Sequence, residues 1–330
     1  MRALTALAAA AAVLAVALPA AAKPGQDLTC TGTGRVRTCD VPLPGDVQVR
    51  SSKVNVVLPA GYDTSGRDYP VVYVLHGVGD DYASWTGPSR GDLATLTKDC
   101  DAIFVTPDGG GGTNAGWYSD WLDGSYQYET FHTQVLPKAI DRAFRTEGRR
   151  ERAIAGLSMG GFGALSYAAR HPGMYRAAAS YSGFVDTTFG APASGQFYEY
   201  GGQNPVYSFG SPSTRIWGDQ TSNADVWAAH NPYDQAAHLA GTPLYLSSGT
   251  GTPGGAQGDD PNKAPNYLIE AYVRQLNDRL ATRLTDLKIP FTDARETGGY
   301  HDWSYWRFHF RDSLRVLMPA LDAANPGCGA

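Results

Sequence analysis

The sequence predicts an α/β protein, a mostly parallel central sheet with helices on both faces, and three observations carry that prediction. Short apolar runs ending in Gly, Pro or Asp alternate with stretches whose apolar residues recur at helical spacing. The pentapeptide Gly156-Leu157-Ser158-Met159-Gly160 falls directly between one such run and one such helix. The chain, with 330 residues of which 42% are hydrophobic, is long enough to bury one large core. Strands alternating with helices in this way form a sheet whose ligands bind at the carboxyl ends of the strands.

Taken in order, the first element is a leader. Arg2 precedes the apolar run Leu4 to Leu18, and Ala20-Ala21-Ala22 offers a small-residue cleavage site before Lys23. Residues 1–22 therefore read as a secretory signal peptide, and 23–330 as a single catalytic domain. Val47 to Val49, Lys53 to Leu58, Val71 to Leu75 and Ile103 to Thr106 predict strands. Phe131, Val135, Leu136, Ile140 and Phe144 predict a helix over Tyr128 to Arg145. Arg152 to Ala155 is the strand before the pentapeptide, and Phe162 to Arg170 the helix after it. Strands return at Ala177 to Tyr181, Leu244 to Ser247 and Phe291 to Ala294, with helices over Tyr267 to Leu284 and around His309.

The segment Phe184 to Leu239 breaks the alternation. It holds Phe189, Phe197, Tyr198, Tyr200, Tyr207, Phe209, Trp217 and Trp227 among many Gly, Pro and Ser. The expectation is an aromatic-rich insertion over the active site, an apolar or sugar-stacking wall. An extension that packs on its own aromatics accounts for the composition equally well. Gly109 to Gly112 lacks the Lys-Ser/Thr ending of a phosphate loop and reads as flexible loop.

Four cysteines in an exported chain predict two disulfides. Cys30 with Cys39 would bracket the turn Thr31-Gly32-Thr33-Gly34 in a short hairpin, and Cys100 with Cys328 would tie the tail to the domain. A net charge of −5, with Arg149, Arg150 and Arg152 as the only basic knot, argues against nucleic acid or an anionic membrane surface as partner. No segment after the leader is long and apolar enough to span a bilayer, so the expected location is extracellular or cell-wall associated without membrane insertion; a monomer is the expected state, though no sequence feature fixes it.

The chemistry follows from the pentapeptide. Between a buried strand and a helix, Gly-x-Ser-x-Gly is the nucleophile elbow of an α/β-hydrolase, its glycines admitting a strained turn that presents the serine. Gly160, Gly161 and Gly163 fit close packing of helix on strand. A serine hydroxyl needs a base oriented by a carboxylate, and in this fold both lie downstream in the order Ser, acid, His. Among His171, His230, His238, His301 and His309, His301 follows a strand and the flexible Gly298-Gly299-Tyr300 and precedes Trp303 and Trp306, where the last loop would place the base. His171 suits a solvated or capping role, and His309 a surface or packing one. Asp259, Asp260 and Glu270 stay open as the acid. Met159 N–H and, from the loop after Val71 to Leu75, Val78 N–H are the expected oxyanion donors. His76 would brace that loop. The mechanism calls for no metal and no organic cofactor.

Tyr73-Val74-Leu75-His76-Gly77 with Asp80-Asp81-Tyr82 and Trp85, Tyr128-Glu129-Thr130-Phe131 with Leu136-Pro137, Gly156 to Gly161, Ser182-Gly183-Phe184, Trp217-Gly218 and Asn231-Pro232 together form a familiar set. Most specific are Gly249-Thr250-Gly251-Thr252-Pro253 and His301-Asp302-Trp303-Ser304-Tyr305-Trp306. From about Val71 to Met318 the chain resembles the secreted esterase family of esterase D-like enzymes, feruloyl esterases and antigen eighty-five mycolyltransferases. The resemblance implies Glu270 as the acid, with Asp260 next. Mycolyltransferases carry an aspartate and an arginine that contact trehalose where this chain has His76 and Gly79, so the sugar acceptor does not carry over. His76 and Trp303 are the positions expected to meet substrate. The implied activity is ester hydrolysis through an acyl-enzyme on Ser158, with acyl transfer to a sugar or alcohol as the alternative. The substrate would be a small-molecule, lipid or sugar ester. A catalytically silent secreted binding protein is a third reading, which the retained Ser158 and His301 disfavour.

Overall fold

Nine strands form one sheet: β1 (Thr29–Thr31), β2 (Val36–Asp40), β3 (Lys53–Val57), β4 (Val71–Leu75), β5 (Ile103–Pro107), β6 (Arg152–Leu157), β7 (Ala178–Tyr181), β8 (Leu244–Ser247) and β9 (Thr292–Asp293). Their spatial order is β1-β2-β3-β5-β4-β6-β7-β8-β9. The first three strands run antiparallel and join the sheet at β5, and everything from β5 to β9 is parallel. The computed structural model describes residues 28–110, 115–189, 213–323 and 327–329. The leader 1–22, Gly111, Gly112, Phe197, Tyr198, Tyr200, Tyr207 and Phe209 lie outside the described residues.

The central strands are buried on both faces, which is why β4 and β6 read as continuous apolar runs rather than alternating ones. Side chains still alternate across the sheet. Val71, Tyr73 and Leu75 face one core with Phe162 and Leu165 of the elbow helix Met159–Arg170. Val72 and Val74 face the other, with Phe310, Leu314 and Leu317 of the final helix Trp303–Ala320. Asp302 caps that final helix by accepting from Ser304 N–H at 3.1 Å.

Several elements differ from expectation, each for a local reason. Val47 to Val49 is not a strand. A Pro44 turn accepts Val47 N–H, and Gln48 pairs with Gln127 instead of entering a ladder. The helix expected over Tyr128 to Arg145 runs as Tyr128–Thr130, a π turn Phe131–Val135 and Leu136–Ala143, and Phe144 is already extended. Pro137 has no N–H to donate and crowds the carbonyl of Thr133, which accounts for the widened turn before it. The last strand shortens to Thr292–Asp293 at the sheet edge.

The described aromatics of the insertion pack inward, which favours, at these positions, the extension that packs on its own aromatics over the substrate wall. Trp217 and Trp227 are fully buried with ring centres 5.0 Å apart, and Trp217 meets Phe162 of the elbow helix at 5.5 Å. Phe189 stacks on Tyr272. Both disulfides form as expected: Cys30 pairs with Cys39 directly across β1 and β2, and Cys100 with Cys328. Among the described residues no helix is long and apolar enough to cross a membrane.

Candidate active site

Ser158 occupies the junction of β6 and the elbow helix with φ 54° and ψ −121°. A positive φ is costly for any residue bearing a Cβ, and such strain persists only where its surroundings impose it. Ser158 N–H donates to Tyr181 O at 2.8 Å, and its carbonyl accepts from Gly161 N–H at 3.0 Å. The glycines make the turn possible by close approach. A Cβ on Gly160 would fall 2.5 Å from Leu75 O and 2.7 Å from His76 O, and one on Gly156 would fall 2.2 Å from Gly160 O.

His301, in the loop after β9, places Nε2 2.9 Å from Ser158 Oγ. Its Nδ1 lies 2.7 Å from Glu270 Oε2. Glu270 projects from the helix Ala264–Asp286, and its other oxygen accepts from Ser182 Oγ at 2.8 Å and from Gly249 N–H at 2.7 Å. Because Gly249 lies just beyond β8, the carboxylate sits at the end of that strand although a helix supplies it. Ser158 at 6% exposure, His301 at 8% and Glu270 at 1% are withdrawn from bulk water, which strengthens each of these contacts. The imidazole stands between Phe184 at 6.1 Å and Trp306 at 4.9 Å, both edge-on.

The loop after β4 reaches the same point. A Cβ on Gly77 would lie 2.7 Å from Leu157 Cδ1 and 3.2 Å from Ser158 Cβ, so a side chain here would crowd the nucleophile turn. His76 Nδ1–H donates to Gly77 O at 2.8 Å, and Gly109 N–H donates to His76 Nε2 at 2.8 Å, which fixes the tautomer. In a trans peptide C=O and N–H point oppositely, so holding Gly77 O turns Val78 N–H the other way. Val78 N–H has no backbone partner among the described residues. Met159 N–H opens the elbow helix, where the first donors have no partner within the helix. His132, on the π turn, donates from Nε2 to Asp108 O at 2.9 Å, so His132 and His76 hold the two ends of the Asp108–Gly109 peptide. Burial pushes the His132 imidazole down to about 3, and it remains neutral.

Other candidates stand elsewhere. Asp259 accepts from Gly254 N–H and Tyr267 OH, and Asp260 caps the short turn Pro261–Lys263, so neither reaches His301. His76 spends both ring nitrogens on backbone groups, an arrangement that suits the expected bracing of its loop better than a polar contact to substrate. Trp303, partly buried, packs edge-on against Trp85 at 5.0 Å and Trp306 at 5.4 Å. His309 is buried between Tyr245 OH and Glu296, and His238 is exposed. His171 ends the elbow helix and binds Glu129, which Arg170 also holds. Burial would raise the Glu129 carboxyl, but the His171 and Arg170 hydrogen bonds outweigh it and bring the group down to about 2. Sequence reasoning gave no role to Ser182, Gly249, Asn266 or Trp306. Ser182 lies 88 residues from Glu270, and no local pattern links the two.

A serine on a strained strand-to-helix turn at the head of a mostly parallel sheet, with a histidine and a carboxylate in hydrogen-bonded series behind it, defines an α/β-hydrolase. More narrowly, the chain belongs to the esterase family described as "Putative esterase", whose model matches residues 48–317. It is 35% identical over 288 residues to Esterase Rv1288 of Mycobacterium tuberculosis, covering 84% of this chain and 58% of that protein. The chain thus spans little more than half the length of that relative. Diacylglycerol acyltransferase/mycolyltransferase Ag85B of Mycobacterium leprae is 28% identical over 294 residues, covering 80% of this chain and 78% of that one. Among solved structures, a ferulic acid esterase superposes with a TM-score of 0.61 at 24% identity, covering 86% of this chain and 98% of the other, a likeness of fold.

Proposed function

We propose that this chain is a secreted serine esterase. The observation that carries the reading is the series Ser158 Oγ, His301, Glu270, at 2.9 and 2.7 Å, on a serine held at φ 54°. In this reading Ser158 Oγ attacks an ester carbonyl as His301 Nε2 takes its proton, and Glu270 holds the imidazole with Nδ1–H toward the carboxylate. Val78 and Met159 N–H receive the developing oxyanion. His301 then protonates the leaving alkoxide, and the alcohol departs from an acyl-Ser158 intermediate. Water, deprotonated by His301, releases the acid and restores the hydroxyl. The substrate is a small-molecule, lipid or sugar ester, and residues 23–330 act as one monomeric catalytic domain. Export is supported by the two disulfides and by the apolar leader ahead of Lys23.

A second reading, acyl transfer from Ser158 to a sugar or alcohol, is favoured by the Ag85B relative, whose name records that activity. The test is a p-nitrophenyl ester series of increasing acyl length, with and without trehalose, with Ser158→Ala as blank. Ser158-dependent release unaffected by trehalose supports hydrolysis. Trehalose-ester formation moves the reading to transfer, and turnover that survives Ser158→Ala overturns both.

A further inference from the structure

The loop that carries His301 is anchored upstream at Gly298, whose carbonyl accepts from Thr250 N–H at 2.8 Å and whose N–H donates to Thr250 Oγ1 at 2.7 Å. Gly298 and Gly299 sit consecutively in the left-handed region, at φ 80° and 86°, and glycine has the most backbone freedom to lose on ordering. Tyr300 is buried between Tyr267 at 4.8 Å and Tyr305 at 5.3 Å, and Asp302 turns the chain into the final helix. Between these anchors, the main chain of His301 makes both of its hydrogen bonds to one residue. His301 N–H donates to the backbone oxygen of Asn266 at 3.2 Å, and Asn266 Nδ2 donates to His301 O at 2.6 Å.

Asn266 lies in the first turn of the helix Ala264–Asp286, four residues before Glu270. Residues i and i+4 share one helical face. A single face therefore grips His301 twice: Asn266 holds its main chain and Glu270 its ring. We propose that Asn266 is a positioning residue for the base, fixing the His301 backbone so that the imidazole spans Glu270 and Ser158 at once. The inference rests on the reading of Ser158 and His301 given above. Asn266 touches no reacting atom. It acts through the placement of His301, and reaction rates are sensitive to displacements of about 1 Å at a catalytic group.

Asn266→Asp separates this role from a merely structural one. Aspartate has the same shape and keeps the backbone oxygen that accepts from His301 N–H, but it sets a carboxylate oxygen against the His301 carbonyl. In the first turn of a helix a carboxylate is otherwise favourable, because it complements the positive end of the helix dipole. A residue that only completes the helix predicts a variant at least as stable as the parent with unchanged kcat. The positioning role predicts a Tm within about 3 °C of the parent. It also predicts a kcat on p-nitrophenyl acetate lower by about 10- to 100-fold, and a KM within about twofold. Labelling of Ser158 by a fluorophosphonate should slow by the same factor as kcat. Asn266→Ala, which removes the donor without adding an acceptor, should fall in the same direction and guards against misfolding of the aspartate variant. If kcat and labelling stay within about twofold of the parent in both variants, or fall only in proportion to lost folded protein, the proposal is overturned. If the parent itself is not labelled at Ser158, the reading of the nucleophile fails, and this inference with it.

Discussion

Ser182 offers a prediction in which a hydrogen bond and a backbone strain can be separated. Its Oγ donates to Glu270 Oε1 at 2.8 Å, its N–H donates to Ser247 O, and its φ is 48°. Replacing it with alanine removes one of the two donors on that oxygen and keeps the strained backbone. Replacing it with glycine removes the same donor and relieves the strain. A hydrogen bond to a charged group contributes about 1.5–3 kcal/mol. Expressed in the transition state, that is about 10- to 100-fold in kcat/KM at 1.36 kcal/mol per decade. Gly249 N–H and His301 still hold the carboxylate, so the loss should stay well below the roughly 10⁴-fold seen when the acid of a related triad is disabled. Both variants should therefore be slow to the same degree. Their stabilities should differ, because a left-handed conformation costs a residue with a Cβ about 1–2 kcal/mol that glycine does not incur. The assay is p-nitrophenyl ester hydrolysis alongside urea unfolding of parent, Ser182→Ala and Ser182→Gly. Equal activity of parent and both variants, or a glycine variant that regains what alanine lost, would show that the Oγ contact is not what orients Glu270.

Acid lability should come from two groups. The Glu129 carboxyl, brought down from 4.5 to about 2, contributes stability that is present above its ordinary range and lost as pH falls through about 2. Glu129→Gln should cost about 3 kcal/mol at pH 7 and much less near pH 2.5, read from urea midpoints. His132 is held neutral down to about 3 by burial, so the unfolded chain takes up a proton below 6.5 that the folded chain refuses. Stability should therefore decline as pH drops from 6.5 toward 3, and His132→Asn should flatten that slope. Opening Cys100–Cys328, which spans 228 residues, should destabilise more than opening Cys30–Cys39, which spans 9, by chain-entropy estimates of about 5 against about 2.5 kcal/mol. Serine double variants compared by thermal unfolding check the order.

What the sequence made legible was what local pattern encodes. The strand, pentapeptide and helix around Ser158 follow from apolar runs and glycines over about twenty residues, and the turn residues between Cys30 and Cys39 favour, among three possible pairings of four cysteines, the one that forms. The acid could not be chosen from pattern alone, since Asp259, Asp260 and Glu270 all follow β8 and the deciding contact reaches from a helix face to a separate loop. Ser182 and Asn266 were hidden for the same reason, each acting through a contact made only once the sheet has assembled. Val47 to Val49 misled because alternation marks a strand only where a neighbouring edge is free to pair. The insertion left two readings open because aromatic composition alone does not separate a binding wall from a core, and Trp217 and Trp227 are buried as a core.

The Cys100–Cys328 bond makes the stretch between those residues a covalent ring, and Ser158, Glu270 and His301 all lie on it. A protease that cuts the backbone once anywhere on the ring leaves Ser158 and His301 in one molecule. Such a nicked chain would run as two bands only after reduction, and its fragments could close again around the site without having to find each other by diffusion.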